Sequence, residues 1–316
     1  MMFKKISKKG ELTTQQIVLL IVLIASFLVI LFFLFRLNLG GESEKDVCHN
    51  SVVTRGSSVI PADSVPLKCS RSYICLTEDK SCEILLNPEI KKVNSEEDVY
   101  QILAEEMASC WWTFGEGKID YVGEKIAKNN YCSICSQLAF DDSLSRIKGF
   151  EGGAISKDRL YDYLSKNEYS DGMTYAQYMF GTNDIEKLKQ QILENQNLEN
   201  KVGTFGEIDI GKQYYVVMGI VSELSTWKLI LVGAGAGVVI AVASPVGWVG
   251  GAIIVASGGT VGGTIGGDVS SLFKPEIAGI IVEGNGIDNS FLSPTIQEIE
   301  SDKFNSLDCK NILTLN

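Results

Sequence analysis

The feature that most constrains this chain is the run IVLLIVLIASFLVILFFLF, Ile17 to Phe35. It holds no charge and no helix breaker, and about 20 apolar residues suffice for a helix to cross a hydrocarbon core. Lys4, Lys5, Lys8 and Lys9 precede it, and the stretch after Arg36 is acidic. The positive-inside rule therefore predicts a cytoplasmic N-terminus and a body outside the cell. A removable secretory signal has a shorter apolar region, about 7–15 residues, and a small-residue cleavage site. Leu37-Asn38-Leu39-Gly40-Gly41 is a poor site of that kind, so an uncleaved anchor is expected over 17–36, after a basic cytoplasmic segment over 1–16.

All eight cysteines follow the anchor: Cys48, Cys69, Cys75, Cys82, Cys110, Cys132, Cys135 and Cys309. An even number confined to the outer side reads as a disulfide framework in an oxidising compartment. Its connectivity is open, because eight cysteines allow 105 pairings. Cys69, Cys75 and Cys82 are close enough to staple a small β-unit. Cys132-Ser-Ile-Cys135 has three readings: structural disulfides, a thioredoxin-like redox pair, or half of a zinc site. The segment YCSICSQLAF alternates like a strand, whereas a redox pair opens a helix. A zinc site needs further Cys or His, and the chain has a single histidine, His49. Structural disulfides fit best, and no metal or cofactor is expected.

The segment KKGELTTQQIVLLIV, Lys8 to Val22, resembles the class III signal of type IV pilins and their archaeal pilin-like relatives. The resemblance implies cleavage between Gly10 and Glu11. It covers about 25 residues, and Gln15 stands where bacterial pilins carry a glutamate. The arrangement CWWTFGEG followed by CSIC resembles that of uncharacterised membrane-anchored archaeal surface proteins, and that resemblance implies no activity.

The body, 40–226, reads as a disulfide-stabilised α+β domain. Residues 40–90 contain short β-like runs. Ser95 and Asp98 form a capping box, with Glu96 and Glu97 at the positive end of the helix dipole. Val99, Ile102, Leu103, Met107, Cys110, Trp111 and Phe114 follow at helical spacing, and Gly115 and Gly117 end the helix. Trp111 belongs to the core face, and Trp112 lies off it. Further helices are predicted near Lys157–Ser165 and Asp184–Asn195, with a short one between them. Lys212–Glu223 and Pro275–Gly286 read as strands of one sheet, being rich in β-branched residues. The last part, 273–316, is expected to hold this return strand and a C-terminal helix over SPTIQEIESDKFNSLDCKNIL.

Between those strands lies an apolar, glycine-rich segment, 227–272. Twelve of the 39 residues from Leu229 to Gly267 are glycine, each costing about 1 kcal/mol against alanine in a water-exposed helix. Gly258, Gly262 and Gly266 recur at helical spacing, as do Gly233 and Gly237, and small residues four apart let helices pack closely in lipid. Ser244-Pro245-Val246-Gly247 marks a turn. The prediction is a membrane-type helical hairpin with a glycine zipper; a re-entrant loop and a hairpin buried in the body are alternatives. The zipper would also be the contact of any homo-oligomer or surface assembly. An even number of crossings keeps Cys309 outside and paired.

The first 36 residues carry five Lys/Arg against Glu11 alone, yet the whole chain has a net charge of −11. An acidic body excludes nucleic acid and anionic headgroups as main partners, leaving the bilayer core as the expected one. Gly233 opens no dinucleotide fingerprint, since Val238 stands where a glycine is needed. P-loop, GxSxG, HExxH and EF-hand patterns do not occur, and one histidine makes a Ser-His or Cys-His enzyme unexpected. The sequence therefore reads as a non-enzymatic, membrane-anchored structural or interaction protein of the cell surface. A membrane-active protein with an inserting hairpin is the alternative, and an extracytoplasmic thiol enzyme the second.

Overall fold

The computed structural model describes residues 14–36, 39–57, 64–123, 130–187, 205–221, 238–243, 251–254, 276–284, 287, 289–301, 304–305, 307 and 309–313. The chain divides into two units, Met1–Asp46 and Val47–Asn316. The first contains α1, Thr14–Arg36, 23 residues long. The described side chains of α1, Gln15 to Ile30, are all exposed. Among the described residues no helix is long and apolar enough to cross a membrane. Gly10 and Glu11 lie outside the described residues.

The second unit is mixed α and β, built on one large sheet. Its strands are β1 (Ser72–Thr77), β2 (Glu89–Lys92), β3 (Asn130–Phe140), β8 (Gln213–Val221), β9 (Val238–Ala243), β10 (Gly251–Ile254), β11 (Glu276–Glu283), β12 (Ser290–Glu298) and β13 (Cys309–Leu313). They run in the order β10-β9-β11-β12-β8-β3-β1-β2, and β13 also pairs with β3. β13 takes the first half of one edge of β3, from Asn130 to Ser133, and β1 takes the second half, from Ser136 to Phe140. Small ladders join β4 (Ala154–Ser156) to β7 (Glu207–Asp209), and β5 (Glu168–Ser170) to β6 (Met173–Thr174).

Helices cover one face. α3, Glu96–Thr113, starts at the expected capping box, in which Asp98 accepts from the Asn94 and Ser95 amides. Its apolar stripe, Val99, Leu103, Met107, Cys110 and Trp111, is buried. Each large side chain removed from water there stabilises the fold by about 1.5–3 kcal/mol. The helix packs on β3, β8 and β12, while α4 (Lys157–Lys166) and α5 (Tyr175–Phe180) pack on α3. Arg159 of α4 donates to Glu96 of α3, and the buried Lys157 ammonium donates to the Ile296 carbonyl in β12. The residues that alternate with the helix-facing ones, among them Ile134, Val217, Ile281 and Leu292, are buried as well.

Five expectations are corrected. Leu39–Arg55 is a helix, α2, and not a series of β-like runs. Its buried positions Cys48, Ser51 and Val52 have helical spacing, but the serine among them hides the apolar pattern. Where the C-terminal helix is expected, the described residues Ser290–Glu298 and Cys309–Leu313 are strands, β12 and β13. Pro294 sits inside β12 where the register skips between Leu292 and Thr295, a bulge that spares the missing N–H. The predicted helical hairpin gives way, in its described parts, to antiparallel strands β9 and β10. Val238, Val239 and Ile240 are stiff β-branched residues that favour a strand, and glycine weakens the helical alternative. The packing glycines Gly233, Gly237, Gly258, Gly262 and Gly266 lie outside the described residues, as does Gly247. β8 and β11 share a sheet as expected, yet β12 stands between them. Cys69, finally, leaves the stapled unit to pair with Cys48, and β1 belongs to the large sheet. The predicted helix Asp184–Asn195 falls outside the described residues beyond Lys187.

Candidate functional site

All eight cysteines are joined: Cys48–Cys69, Cys75–Cys82, Cys110–Cys135 and Cys132–Cys309. Side chains three apart on a strand point to opposite faces. Cys132 and Cys135 both lie in β3, so each bonds elsewhere. Cys135, at a register shift of β3, reaches Cys110 of α3, and Cys132 reaches Cys309 of β13. A redox pair within the CxxC is thereby overturned, and Cys309 is paired as expected. Among the described residues no group of three His, Cys, Asp or Glu could hold a metal.

The cluster with functional geometry lies where α3 ends. Gly115, Glu116 and Gly117 all have left-handed backbone, φ 82°, 56° and 69°. The turn is closed by the Gly115 amide donating to the Trp112 carbonyl and the Glu116 amide to the Trp111 carbonyl. A Cβ on Gly117 would sit 3.0 Å from the Trp111 ring. Glutamate has no such freedom, and left-handed backbone costs an L-residue roughly 1–2 kcal/mol. What the turn achieves is to aim the Glu116 carboxylate at Tyr178, whose hydroxyl donates to it at 2.7 Å, while Lys118 pairs with its other oxygen. Burial pushes the Glu116 carboxyl up, and the Lys118 and Tyr178 hydrogen bonds outweigh that, so it lies below its ordinary value. Tyr178 is raised by burial and by the same carboxylate.

Tyrosines extend the cluster. Tyr178 stacks on Tyr169 at 4.2 Å; Tyr169 lies 5.5 Å from Tyr175, and Tyr175 lies 6.4 Å from Tyr163. Burial raises the Tyr175 hydroxyl to about 12. Tyr169 and Met173 are 37% and 38% exposed, so the surface has an open apolar end. The hairpin that presents Tyr169 turns at Asp171-Gly172, both left-handed, as a two-residue primed turn demands. On the other side, His49 of α2 stacks on Trp112 at 4.1 Å, and its Nδ1 lies 2.8 Å from the Trp112 carbonyl oxygen. Ring faces, phenols and a fixed carboxylate can hold a ligand by stacking and hydrogen bonding.

Sequence reasoning separated the two tryptophans: Trp111 is 3% exposed in the core, and Trp112 is half-buried under His49. It missed Glu116, His49 and the tyrosines. The available signal was an acid between two glycines at a helix end. No known protein family, curated protein or solved structure matches the chain.

Proposed function

We propose that this chain is a membrane-anchored interaction protein of the cell surface, held by α1 and presenting the Tyr169–Tyr178–Glu116 surface outward. The observation that carries the reading is the position of the disulfides. All eight cysteines follow α1 and pair in four bonds, an arrangement that persists in oxidising compartments. The exposed apolar side chains of α1 and the uncharged run to Phe35 support a bilayer as its partner. Tyrosine, tryptophan and methionine are residues that surfaces use for contact. Processing after Gly10 belongs to the same proposal through the pilin-like segment.

Protease added to intact cells should digest Val47–Asn316 and spare the N-terminal apolar segment. Full protection of the body would overturn the topology. Intact mass of the mature protein then decides the processing: a chain beginning at Glu11 supports it, and one beginning at Met1 or Met2 refutes it.

A further inference from the structure

A second cluster lies on the face of the sheet opposite the helices. Tyr73, Gln137 and Tyr215 are register partners across β1, β3 and β8. Each alternates with a residue of the helix-side core, namely Ile74, Leu138 and Tyr214. Arg71, just before β1, lies over this row with its Cζ 4.9 Å from the centroid of the Tyr215 ring. Gln137 also donates to Gln213 at 2.6 Å, which fixes its amide and turns its carbonyl oxygen toward Arg71. Phe304 flanks Tyr215 at 5.6 Å.

The guanidinium is only half used. Its Nη1 donates to the Gln137 Oε1 at 3.3 Å and to the Tyr215 hydroxyl oxygen at 3.4 Å, both long and both to neutral oxygens. Nε is buried with no partner, and no hydrogen bond engages Nη2. Nη2, which is not buried, therefore keeps its N–H donors and its charge for an acidic oxygen from outside the chain. Arg146 and Arg159 meet carboxylates of this chain, Arg146 with Glu78 and Asp79, Arg159 with Glu96. Arg71 meets none among the described residues, although the chain carries a net charge of −11.

We propose that Arg71 anchors a binding site for a carboxylate carried on a polyhydroxylated ring, the uronate class of sugar. The unused Nη2 takes a carboxylate oxygen in a charge-assisted bond. The Tyr215 hydroxyl, which accepts from Arg71 and has its own proton to give, and the Gln137 amide address ring hydroxyls. Tyr73, 44% exposed, offers a face for the apolar side of the ring.

Glucuronate titrated into the full chain in detergent micelles, followed by ligand-observed NMR, tests this. Glucuronate should bind at least tenfold more tightly than glucose. Arg71→Gln should abolish the difference, and Arg71→Lys, which keeps the charge but loses the planar donor that Gln137 and Tyr215 hold in place, should weaken binding about fivefold or more. Thermal melting checks that the variants fold, and if Arg71→Gln does not, Arg71→Lys decides. Equal binding of glucose, or glucuronate binding unchanged in Arg71→Lys, overturns the site. Glutarate binding as tightly as glucuronate overturns the sugar class.

Discussion

The two ends of the large sheet are held by different means. Around β3, three strands and a helix converge: β13 and β1 share one edge, β8 takes the other, and α3 lies across. Cys132–Cys309 and Cys110–Cys135 tie this region covalently in two directions. At the other end, among the described residues, β10 pairs with β9 and β9 with β11, through short apolar strands. No cysteine occurs between Cys135 and Cys309. One of these bonds, Cys132–Cys309, joins strands that are neighbours in the sheet but 177 residues apart in sequence, which is where loop closure costs the unfolded chain most entropy. The described strands of the glycine-rich end are joined by backbone pairing.

The largest effect that could break this comparison is removal of its longest link. Cys132–Cys309 closes a separation of 177 residues and Cys75–Cys82 one of 7, which loop entropy converts to about 5 and about 2.5 kcal/mol. The double variant Cys132→Ser/Cys309→Ser should therefore lower the melting temperature far more than Cys75→Ser/Cys82→Ser. Equal losses would mean that β13 is held on β3 by its backbone pairing alone. Hydrogen exchange addresses the same contrast without mutation. Amides of β3, β8 and β12 should open only with global unfolding, whereas those of β10, an edge strand of four residues, should open at least about 3 kcal/mol more easily. Comparable protection at both ends would refute the division.

The same contrast explains what could be read from the sequence. α3 was legible because local and tertiary signals agree: a capping box, an apolar stripe ending at Phe114, and Gly115 where the backbone must turn left-handed. The strands β3, β8 and β11 were legible from β-branched and alternating residues. β12 was not, because Ser293-Pro294-Thr295 followed by an acidic, amphipathic stretch mimics a helix start. Only the bulge against β8 makes proline tolerable in a central strand. In 227–272, the four-residue spacing of the glycines masks the β-branched run at Val238, because small residues at that spacing match a helix-packing pattern. The pairing of β9 with β11, which sets Val238 opposite Glu276, is non-local and leaves no such period. Glu116 was invisible as a site because its partner Tyr178 lies 62 residues away.

Smaller effects separate the two ends at single glycines. Gly117→Ala meets both a left-handed φ of 69° and the rigid Trp111 ring at 3.0 Å, and should cost about 2 kcal/mol. Gly279→Ala, in β11, sets its Cβ 2.7 Å from the end of the buried Leu292 side chain, which must shift within the core, but its φ is not left-handed. It should cost about 1 kcal/mol, the low end for overpacking a core. Chemical denaturation of both variants measures the difference, and the reverse order would place the rigid packing at the glycine-rich end.

The smallest expected effect concerns how α3 is joined to α5, the helix that also contacts β11 and β12. That joint is the hydrogen bond from Tyr178 to Glu116. The folded state holds the Glu116 carboxyl below its ordinary value, so it binds its proton less tightly folded than unfolded. Such a group adds stability above the ordinary carboxylate range, and the contribution fades as pH falls through the depressed folded value. Glu116→Gln keeps a hydrogen-bond acceptor but carries no charge. It should cost about 1 kcal/mol at pH 7, the surplus of a charged over a neutral acceptor, and nothing once the wild-type carboxyl is protonated. Melting temperatures of the two proteins should therefore differ at pH 7 and converge as pH falls below about 4, the ordinary carboxylate range. A gap of the same size at every pH would mean that the glutamine disturbs the left-handed turn itself, and that the charge does nothing to hold α5 against α3.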